Sequence, residues 1–526
     1  MRIKQFSFFS YSLILLLLFS CSVYVQAGSR ISGGYVHSLA VKNDGTVWAW
    51  GWSGFGAFPF VPITPQPAQV SGLTDVNSVS AAFLASFALK NNNTLWAWGW
   101  NEYGQLGDGT TNAASAPVEV SGPSDIVSVD SSLRSSLALK SDRTAWAWGN
   151  NEYGQLGDGT TNISLVPILV SNLTDVIEIS AGGNHSLALK GDGSLWAWGN
   201  NIYGQLGDGT TNSALTPVEI TNFSNASAIS AGIAHSVALK NDGTVYAWGN
   251  NEYGQLGDGT TNSASAPVEV SGLSDIVSID ASYAHSLALK SDGTVWAWGN
   301  NVYGQLGNGT TNSSLLPVEV VNLTDVVEVS AGYYHSLALK NDGTVWAWGN
   351  NIYCQLGDGT TNNKCAPVQV SNLRITVRGA PQDFNGDGTS DLALYHEATG
   401  TWYIISPDGE VLCFGGAWGG PGFTPVPGDY DGDGTSDLAL YYEAGGTWYI
   451  IRMDGSLICF DINWGGPGLS PVTGDYNNDC RADLALYHEA SGTWYICSLD
   501  GEVIMAGQSW GSSGMIPLGA AGLSLK

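Results

Sequence analysis

The chain has 526 residues, of which 44% are hydrophobic and 11% aromatic, so it is long enough for two or three folded domains and too apolar to be largely disordered. Its formal net charge of −28, from 46 acidic and 18 basic side chains, would repel nucleic acid phosphates and anionic lipid surfaces. Direct binding to nucleic acid is therefore not expected.

The first predicted element is a leader for export. Arg2 and Lys4 precede an apolar run, and the Val-Gln-Ala that ends at Ala27 has the small-residue form of a signal-peptidase site. The sequence predicts a signal peptide over residues 1–27 and a secreted, cell-surface or periplasmic protein. Membrane insertion after cleavage is not expected, because no other stretch nears the ~20 apolar residues of a span. Lipid anchoring at Cys21 is the alternative.

A repeat of about fifty residues follows the leader. Trp-Ala-Trp-Gly or Tyr-Ala-Trp-Gly recurs seven times, and each copy has four short segments with period-two alternation. In the seventh copy these segments are DVVEVSAG, HSLALK, TVWAWG and PVQVSNL. Seven four-stranded units with almost no helical signal predict an all-β fold, a seven-bladed β-propeller. The first aromatic residues of the seven copies are Trp48, Trp96, Trp146, Trp196, Tyr246, Trp296 and Trp346.

The units resemble the repeat of the regulator of chromosome condensation family, most clearly in SAGGNHSLALKGDGSLWAWGNNIYGQLGDGTT at residues 180–211. The resemblance implies a seven-bladed propeller over residues 28–379. The family's named member exchanges guanine nucleotide on a small GTPase and binds chromatin. Export and the acidic charge oppose both activities here, so guanine-nucleotide exchange stays an alternative that rests on the resemblance.

A histidine begins the second strand in five units, and Ala85 and Ser135 replace it in two. One histidine in each blade cannot converge on a single ion, so a repeated strand-edge hydrogen bond is favoured over metal binding. The five residues are His37, His185, His235, His285 and His335.

The loop between the third and fourth strands has about seventeen residues, from Asn350 to Ala366 in the seventh unit, and contains a stretch such as NNEYGQLGDGTTN. Its Tyr and Leu recur around the ring. Residues that every blade repeats are explained by packing and turn geometry, which every blade needs, and not by a single binding site. No Gly-Lys-Ser/Thr follows the glycines, so phosphate binding is disfavoured. The loop is predicted to be a structural strut.

The first two units depart from this pattern. Unit one replaces the loop with GWSGFGAFPFVPITPQP, and unit two has Trp where the others have Asn. These changes predict an exposed aromatic patch that binds a partner, and burial in the closing blade is the alternative. The patch residues are Trp52, Phe55, Phe58, Phe60 and Trp100.

The seventh unit gains two cysteines in its loop. Because export permits disulfides, Cys354 and Cys365 are predicted to be bonded to each other. After this unit, residues 375–378 are predicted to pair with the first unit as a closing strand.

A second repeat begins after Pro381, with a period of 46. Its starts read DFNGDGTSDLALY, DYDGDGTSDLALY and DYNNDCRADLALY. Side-chain oxygens at positions one, three, five and nine, with a carbonyl at position seven, suit Ca²⁺. Position twelve is Leu and a strand follows, so the loops are not EF-hands.

These loops resemble the calcium loops of FG-GAP repeats, also called VCBS-type, over residues 380–526. The resemblance implies that Ca²⁺ is bound in each loop, although Cys480 replaces the turn glycine and Arg481 adds a positive charge in the third. The predicted ligands are Asp383, Asn385, Asp387, Thr389 and Asp391; Asp429, Asp431, Asp433, Thr435 and Asp437; and Asp475, Asn477, Asp479 and Asp483.

Three such units are too few to close an ordinary propeller, which leaves an open stack, a compact domain, or oligomerisation with another chain. No nucleophile or metalloprotease motif appears, so enzymatic activity is not expected. The sequence predicts an exported, non-enzymatic scaffold or binding protein that acts through protein–protein or protein–glycan contacts, with calcium stabilising the second domain. A carbohydrate-binding, lectin-like role is the second alternative.

Overall fold

A computed structural model of the chain describes residues 29–52, 64–221, 223–375, 382–384, 390–406, 411–431, 435–453, 455–476, 481–488, 490–499, 501 and 503–509. These residues form 39 β-strands. Within those ranges there is no helix long and apolar enough to cross a bilayer. The predicted all-β fold is confirmed.

Seven four-stranded antiparallel sheets, the blades, follow one another along residues 31–374, each with its strands in sequence order. The first strands are β1 Ile31–Gly33, β5 Val76–Ala81, β9 Ile126–Ser131, β13 Val176–Ala181, β17 Ala226–Ala231, β21 Ile276–Ala281 and β25 Val326–Ala331. The second strands are β2 His37–Val41, β6 Ala85–Lys90, β10 Ser135–Lys140, β14 His185–Lys190, β18 His235–Lys240, β22 His285–Lys290 and β26 His335–Lys340. The third strands are β3 Val47–Gly51, β7 Leu95–Gly99, β11 Ala145–Gly149, β15 Leu195–Gly199, β19 Val245–Gly249, β23 Val295–Gly299 and β27 Thr344–Gly349. The fourth strands are β4 Thr64–Gln69, β8 Ala114–Glu119, β12 Ser164–Leu169, β16 Ala214–Glu219, β20 Ala264–Glu269, β24 Ser314–Glu319 and β28 Lys364–Arg374.

The hydrophobic core lies between neighbouring blades. In one such cluster, Leu187 and Leu206 of blade 4 pack against Trp248 of blade 5. The second Trp of each Trp-x-Trp pair is almost completely buried, and burial of an indole removes ~150–250 Å² from water. The buried residues are Trp50, Trp98, Trp148, Trp198, Trp248, Trp298 and Trp348.

The ring closes by packing between blades 7 and 1. Ile31 and Trp50 share a buried cluster with Leu337 and Ile375. The first blade takes all four of its strands from residues 31–69, and β28 pairs with β27. The predicted closing strand is therefore wrong where the structure tests it, because the Ile375 N–H donates to Gly343 of its own blade. Residues 376–378 lie outside the described part of the chain.

The second repeat region forms three further antiparallel sheets, here called repeats 1, 2 and 3. Repeat 1 contains β29 Leu392–His396, β30 Thr401–Ile405 and β31 Val411–Ala417. Repeat 2 contains β32 Phe423–Pro425, β33 Leu438–Tyr442, β34 Thr447–Ile451 and β35 Leu457–Asn463. Repeat 3 contains β36 Leu469–Val472, β37 Leu484–His488, β38 Thr493–Cys497 and β39 Val503–Ser509.

Adjacent repeats pack face to face. Trp402 and Ile404 of repeat 1 cluster with Leu438 and Leu440 of repeat 2. Trp448 and Ile450 of repeat 2 cluster in the same way with Leu484 and Leu486 of repeat 3. Trp402 and Trp448 are thus core residues of this second region.

Candidate functional site

The recurring histidines link each blade to the next. Nε2 of His235 lies 3.0 Å from Oγ of Ser286, whose hydroxyl donates to the Gln255 carbonyl at 3.2 Å. Because the hydroxyl proton is used there, the serine oxygen accepts the Nε2–H of the histidine. The predicted structural hydrogen bond is confirmed. The pairs are His37–Ser86, His185–Ser236, His235–Ser286, His285–Ser336 and His335–Ser38.

The long loop holds its own shape through one buried asparagine. In blade 4, Nδ2 of Asn201 donates to Oδ1 of Asp208 and to the Thr210 carbonyl, both at 3.2 Å. Its Oδ1 accepts the N–H of Leu206 at 2.9 Å. These contacts satisfy both ends of the amide inside the loop and leave little for a ligand.

The same loop also binds the next blade. The Gln205 carbonyl accepts hydrogen bonds from Oγ of Ser236 at 2.8 Å and from Nε1 of Trp248 at 2.9 Å. The Gly209 N–H donates to the Ser265 carbonyl of that blade at 2.8 Å. The predicted role of the loop as a strut is confirmed.

The first strands line a narrow central channel that contains a cavity of about 100 Å³. Its wall is mostly Ser and Ala, with two aspartates, Asp130 and Asp280. Oδ2 of Asp130 accepts the Ala181 N–H at 2.8 Å, and Oδ2 of Asp280 accepts the Ala331 N–H at 2.7 Å. Both carboxylates therefore join neighbouring blades.

Two glutamates also lie on first strands, two residues before the position that Asp130 and Asp280 occupy in their own blades. Oε1 of Glu328 accepts the backbone N–H of Arg30 at 2.9 Å across the ring closure, and Oε1 of Glu178 accepts that of Ile229 at 3.4 Å. Burial raises the pKa of Glu178 to about 8, of Glu328 to about 7 and of Asp130 to about 6. We interpret these acids as structural groups.

A continuous cluster of aromatic rings lines one side of a mouth of the channel. Tyr283 stacks on Tyr333 with ring centroids 4.3 Å apart, and Tyr35 stacks on Phe83 at 4.4 Å. Tyr35 and Tyr333 meet edge to face at 4.6 Å, which joins the two stacks across the closure. The rings are neither buried nor fully exposed.

The cluster extends outward onto the loops of the same face. Tyr334 contacts Tyr283 at 5.1 Å and Tyr303 at 5.0 Å. Beyond Tyr35, the ring centroid of Phe83 lies 6.4 Å from that of Trp100. We call this set the aromatic crescent: Tyr35, Phe83, Trp100, Tyr283, Tyr303, Tyr333 and Tyr334.

The crescent occupies only part of the ring. Tyr283, Tyr333, Tyr35 and Phe83 stand at the turn position of blades 6, 7, 1 and 2, where blades 3, 4 and 5 have Leu133, Gly183 and Ile233. Since those three blades fold without an aromatic residue at this position, blade packing does not require one. The asymmetry marks this side of the face as a candidate site.

The crescent is uncharged despite the acidity of the chain. Burial, with neighbouring phenols, raises the pKa of Tyr333 and Tyr334, so both keep their protons throughout the physiological range. Beside Tyr334 lies an open groove of about 680 Å³ lined by four tyrosines, Val302 and the polar residues Asn300, Thr311, Asn312 and Ser313. The groove offers apolar ring surface with amide and hydroxyl groups along it.

The predicted aromatic patch is only partly described. Trp100 belongs to the crescent, and Trp52 lies 5.8 Å from Tyr353 on the same face. Phe55, Phe58 and Phe60 lie outside the described residues. The turn tyrosines were missed by the sequence reasoning, although their departure from the repeat was a usable signal.

The predicted disulfide is not formed in the structure, where Cys354 and Cys365 are free thiols. The Cys365 carbonyl accepts the Gly309 N–H from the blade 6 loop. Cys354 belongs to the blade 7 loop, which packs against Pro65 of blade 1 through Gly359. The two thiols therefore belong to opposite junctions of blade 7.

The second acidic loop brings three carboxylates together. Ligand oxygens of Asp429, Asp431 and Asp437 all lie within 4.8 Å of one another. Oxygens bound to one Ca²⁺ at ~2.4 Å can be at most about 5 Å apart, so the three residues fit this ion. Arg452 donates from Nε to Oδ2 of Asp431 at 2.5 Å and places a cation beside the cluster. Asp433 is outside the described residues, and Thr435 is described and half-buried.

The first and third loops share one feature with the second. Oδ2 of the ninth residue accepts a backbone N–H from the second residue, at 2.7 Å for Asp391, 2.9 Å for Asp437 and 2.6 Å for Asp483. Asp383 is buried and Asp475 is half-buried. The remaining predicted ligands, Asn385, Asp387, Thr389, Asn477 and Asp479, lie outside the described residues.

Comparison with known proteins agrees with this architecture. The RCC1-like domain family matches residues 19–321, the regulator of chromosome condensation (RCC1) repeat matches residues 326–355 and 342–378, and the FG-GAP-like repeat matches residues 383–440 and 429–486. No curated protein gives a significant match.

Solved structures of similar fold include two that match at 24% identity. Human WBSCR16 has 24% identity and a TM-score of 0.56, over 64% of this chain and 96% of that one. Prp20p from Saccharomyces cerevisiae, described with its binding to Gsp1p and histones, has 24% identity and a TM-score of 0.56, over 64% of this chain and 87% of that one. At this identity the likeness shows the fold.

Proposed function

We propose that this chain, which belongs to the RCC1-like domain family, is an exported, non-enzymatic binding protein that holds a partner protein on its aromatic crescent. The propeller is the rigid scaffold, and the crescent supplies the binding surface. Export is supported by the basic start, the apolar run and the cleavage pattern before residue 28. Lipid anchoring at Cys21 is the alternative mode of export.

One observation carries the proposal: the crescent breaks the repeat. Leu133, Gly183 and Ile233 show that a blade folds with a small or aliphatic residue at the turn, so the aromatic rings of the other four blades serve another purpose. Half-exposed Tyr and Trp in a contiguous patch are the composition of binding hot spots. The patch itself carries no charged side chain, while the chain as a whole, at −28, repels anionic partners.

A lectin-like role is the second candidate, and the groove beside Tyr334 favours it. Tyrosine rings can stack on the C–H faces of a sugar, while the exposed Thr311 and Asn312 can bond its hydroxyls. Nucleotide exchange has only fold-level support, since binding to Gsp1p is a property of Prp20p.

Calcium belongs to the proposal for the second domain. Asp429, Asp431 and Asp437 would hold the ion in repeat 2, and the corresponding loops would hold it in the other repeats. A bound ion would neutralise clustered carboxylates and fix each loop against its neighbour. Its role is structural.

The test is a pull-down from the native extracytoplasmic fraction with residues 28–526, followed by affinity measurement on the captured partner. The variant is Tyr283→Ala with Tyr333→Ala. The control is Tyr153→Ala with Tyr203→Ala, which makes the same chemical change on the loops of blades 3 and 4. Because loss of a hot spot costs ~2 kcal/mol or more, we expect the crescent variant to lose at least about thirtyfold in affinity and the control to keep it.

Equal binding by the crescent variant would reject the proposal, provided that both variants unfold cooperatively near the wild-type midpoint. A glycan array distinguishes the lectin candidate, which predicts a saccharide whose binding requires the crescent. Nucleotide exchange is tested on a panel of small GTPases. If the protein accelerates exchange on none of them, this alternative is rejected.

A further inference from the structure

One loop tyrosine on the face of the crescent already holds an arginine of its own chain. The guanidinium of Arg134, from the turn of blade 3, lies over the ring of Tyr103, from the loop of blade 2, 4.7 Å from the ring centroid. Tyr103 also contacts Trp100 of the crescent at 5.5 Å, so the pair lies on the same face. A cation over an aromatic ring is attracted by the negative charge of the ring face.

The junction of blades 5 and 6 repeats the backbone geometry of that junction. Oγ of Ser136 donates to the Gln105 carbonyl at 3.0 Å where blades 2 and 3 meet, and Oγ of Ser286 donates to the Gln255 carbonyl at 3.2 Å where blades 5 and 6 meet. The loop and the turn therefore meet in the same way in both places, and Tyr253 corresponds to Tyr103.

The arginine is missing from this second junction. Ala284 occupies the position of Arg134, and its methyl group cannot place a cation over Tyr253. The ring of Tyr253 instead lines the open groove of about 680 Å³ beside the crescent. The other groove tyrosines are Tyr283, Tyr303 and Tyr334.

The charge around the groove suits a cation. Exposed Glu252 adjoins Tyr253, and its carboxylate raises the pKa of that phenol. The described residues that line the groove include no Lys, Arg or His. The charge of −28 on the whole chain also attracts cationic groups.

We infer that the groove binds an arginine side chain of the partner, with its guanidinium over Tyr253 as Arg134 lies over Tyr103. The inference rests on the proposed function, because it states which side chain of the bound protein enters the groove. Arginine fits better than lysine, since its planar and weakly hydrated guanidinium stacks on aromatic rings. Thr311 and Asn312, exposed residues of the groove wall, can bond the backbone of the same peptide.

The junction of blades 4 and 5 provides a matched comparison. Ala234 occupies the arginine position there, so Tyr203 has no arginine from that turn either. The neighbour of Tyr203 is Ile202 instead of a glutamate, and Tyr203 does not line the groove. An uncovered tyrosine alone is therefore not expected to bind arginine.

The experiment is saturation-transfer NMR of residues 28–526 with a blocked Gly-Ser-Arg-Ser-Gly peptide. Two further peptides carry lysine, or citrulline, which keeps the shape of arginine without its charge. The test variant is Ala284→Arg, which places a cation of the chain over Tyr253, and the control is Ala234→Arg. We expect wild type and control to bind the arginine peptide at least about fivefold more tightly than the other two, and Ala284→Arg to lose at least about fivefold in affinity for it.

Because Ala284 is only 2% exposed, Tyr253→Leu supplies a second variant that adds no volume. Its control is Tyr153→Leu, at a tyrosine that also follows a glutamate but does not line the groove. The first change is expected to weaken binding of the arginine peptide about fivefold, and the second to leave it unchanged.

Equal binding of the arginine and citrulline peptides would overturn the inference. So would binding of the arginine peptide that neither Ala284→Arg nor Tyr253→Leu weakens. The pull-down separates this inference from the proposed function. A partner that requires Tyr283 and Tyr333 but binds Ala284→Arg and Tyr253→Leu as tightly as wild type would overturn the arginine inference and leave the proposed function standing.

Discussion

Buried titratable groups in the propeller fall into two sets with opposite effects of pH. Burial lowers the pKa of His185, His235, His285 and His335 to about 3, so these residues are neutral in the folded protein. The channel acids show the reverse shift, led by Glu178 with a pKa of about 8. Below about pH 6.5 the unfolded chain protonates its histidines while the folded protein does not, so the free energy of unfolding decreases as the pH falls. The unfolded chain releases the protons of the channel acids at a lower pH than the folded protein, so the free energy of unfolding also decreases as the pH rises.

Glu178→Gln is expected to make the stability of the propeller less sensitive to a rise in pH up to about 8. Folded Glu178 keeps its proton up to about pH 8, whereas the unfolded chain releases it near the ordinary value of 4.5. The folded state therefore binds more protons in this window, and the free energy of unfolding decreases as the pH rises through it. Each such proton contributes ~1.4 kcal/mol per pH unit.

The measurement is chemical unfolding between about pH 6.5 and 8, where the histidines contribute little. The variant is expected to show a shallower decrease and to be more stable than wild type at pH 8. Glu319→Gln, an exposed change on β24, is the control and should retain the wild-type slope. If the free energy of unfolding changes with pH at the same slope in both variants, the raised pKa of Glu178 is contradicted.

At the scale of single residues, the sequence predicted roles that repeat and missed roles that do not. The histidines were interpreted correctly because one copy in each of five blades argues against a site where several ligands converge on one ion. The crescent was missed because Tyr35 and Tyr333 are far apart in the chain and meet only when the ring closes. No local pattern contains that contact.

Among the structural elements, the long loop is a connector whose glycines have different duties. In blade 4, Gly207 and Gly209 both have positive φ, of 73° and 83°. A Cβ on Gly207 would lie 2.7 Å from Nε1 of Trp248, whereas a Cβ on Gly209 would have no atom within 4 Å. The first glycine permits close approach of the next blade, and the second permits a turn.

Gly207→Ala is therefore expected to cost much more stability than Gly209→Ala. Both substitutions place alanine in a left-handed conformation, at ~1 kcal/mol each. Only Gly207→Ala also displaces Trp248 from its hydrogen bond to Gln205 and strains the packing, for a total of about 3 kcal/mol or more. Equal losses in denaturant-unfolding free energy would show that the strut does not depend on close contact.

The strands were predicted well because alternation, Trp-x-Trp pairs and tight turns agree in each unit. The boundaries were less accurate: β28 begins at Lys364, three residues before the predicted Pro367. The closing strand was wrong because buried Ile375 satisfies its apolar character by packing between blades. The sequence of a short apolar segment does not specify whether the segment joins a sheet through backbone hydrogen bonds or only packs its side chains into the core.

For the whole molecule, the two repeat regions have separate cores. The seven clusters of the propeller join residues between Ile31 and Ile375, and the three clusters of the second region join residues between Phe384 and Met505. None of these clusters, within the described residues, mixes the two regions. Each region should then respond to its own chemistry.

Calorimetry of residues 28–526 is expected to show two unfolding transitions, of which calcium raises one. An ion that binds only the folded loops adds RT ln(1 + [L]/Kd), about 2.7 kcal/mol per site at one hundred times Kd. Gly207→Ala identifies the propeller transition by lowering it alone. Asp437→Asn keeps an oxygen for the Tyr430 N–H but loses a ligand charge, so it should reduce the calcium shift of the other transition. If neither calcium nor a chelator shifts a transition temperature of the wild type, the metal assignment is rejected. If calorimetry shows one transition, and calcium and both substitutions all shift it, the two cores are coupled.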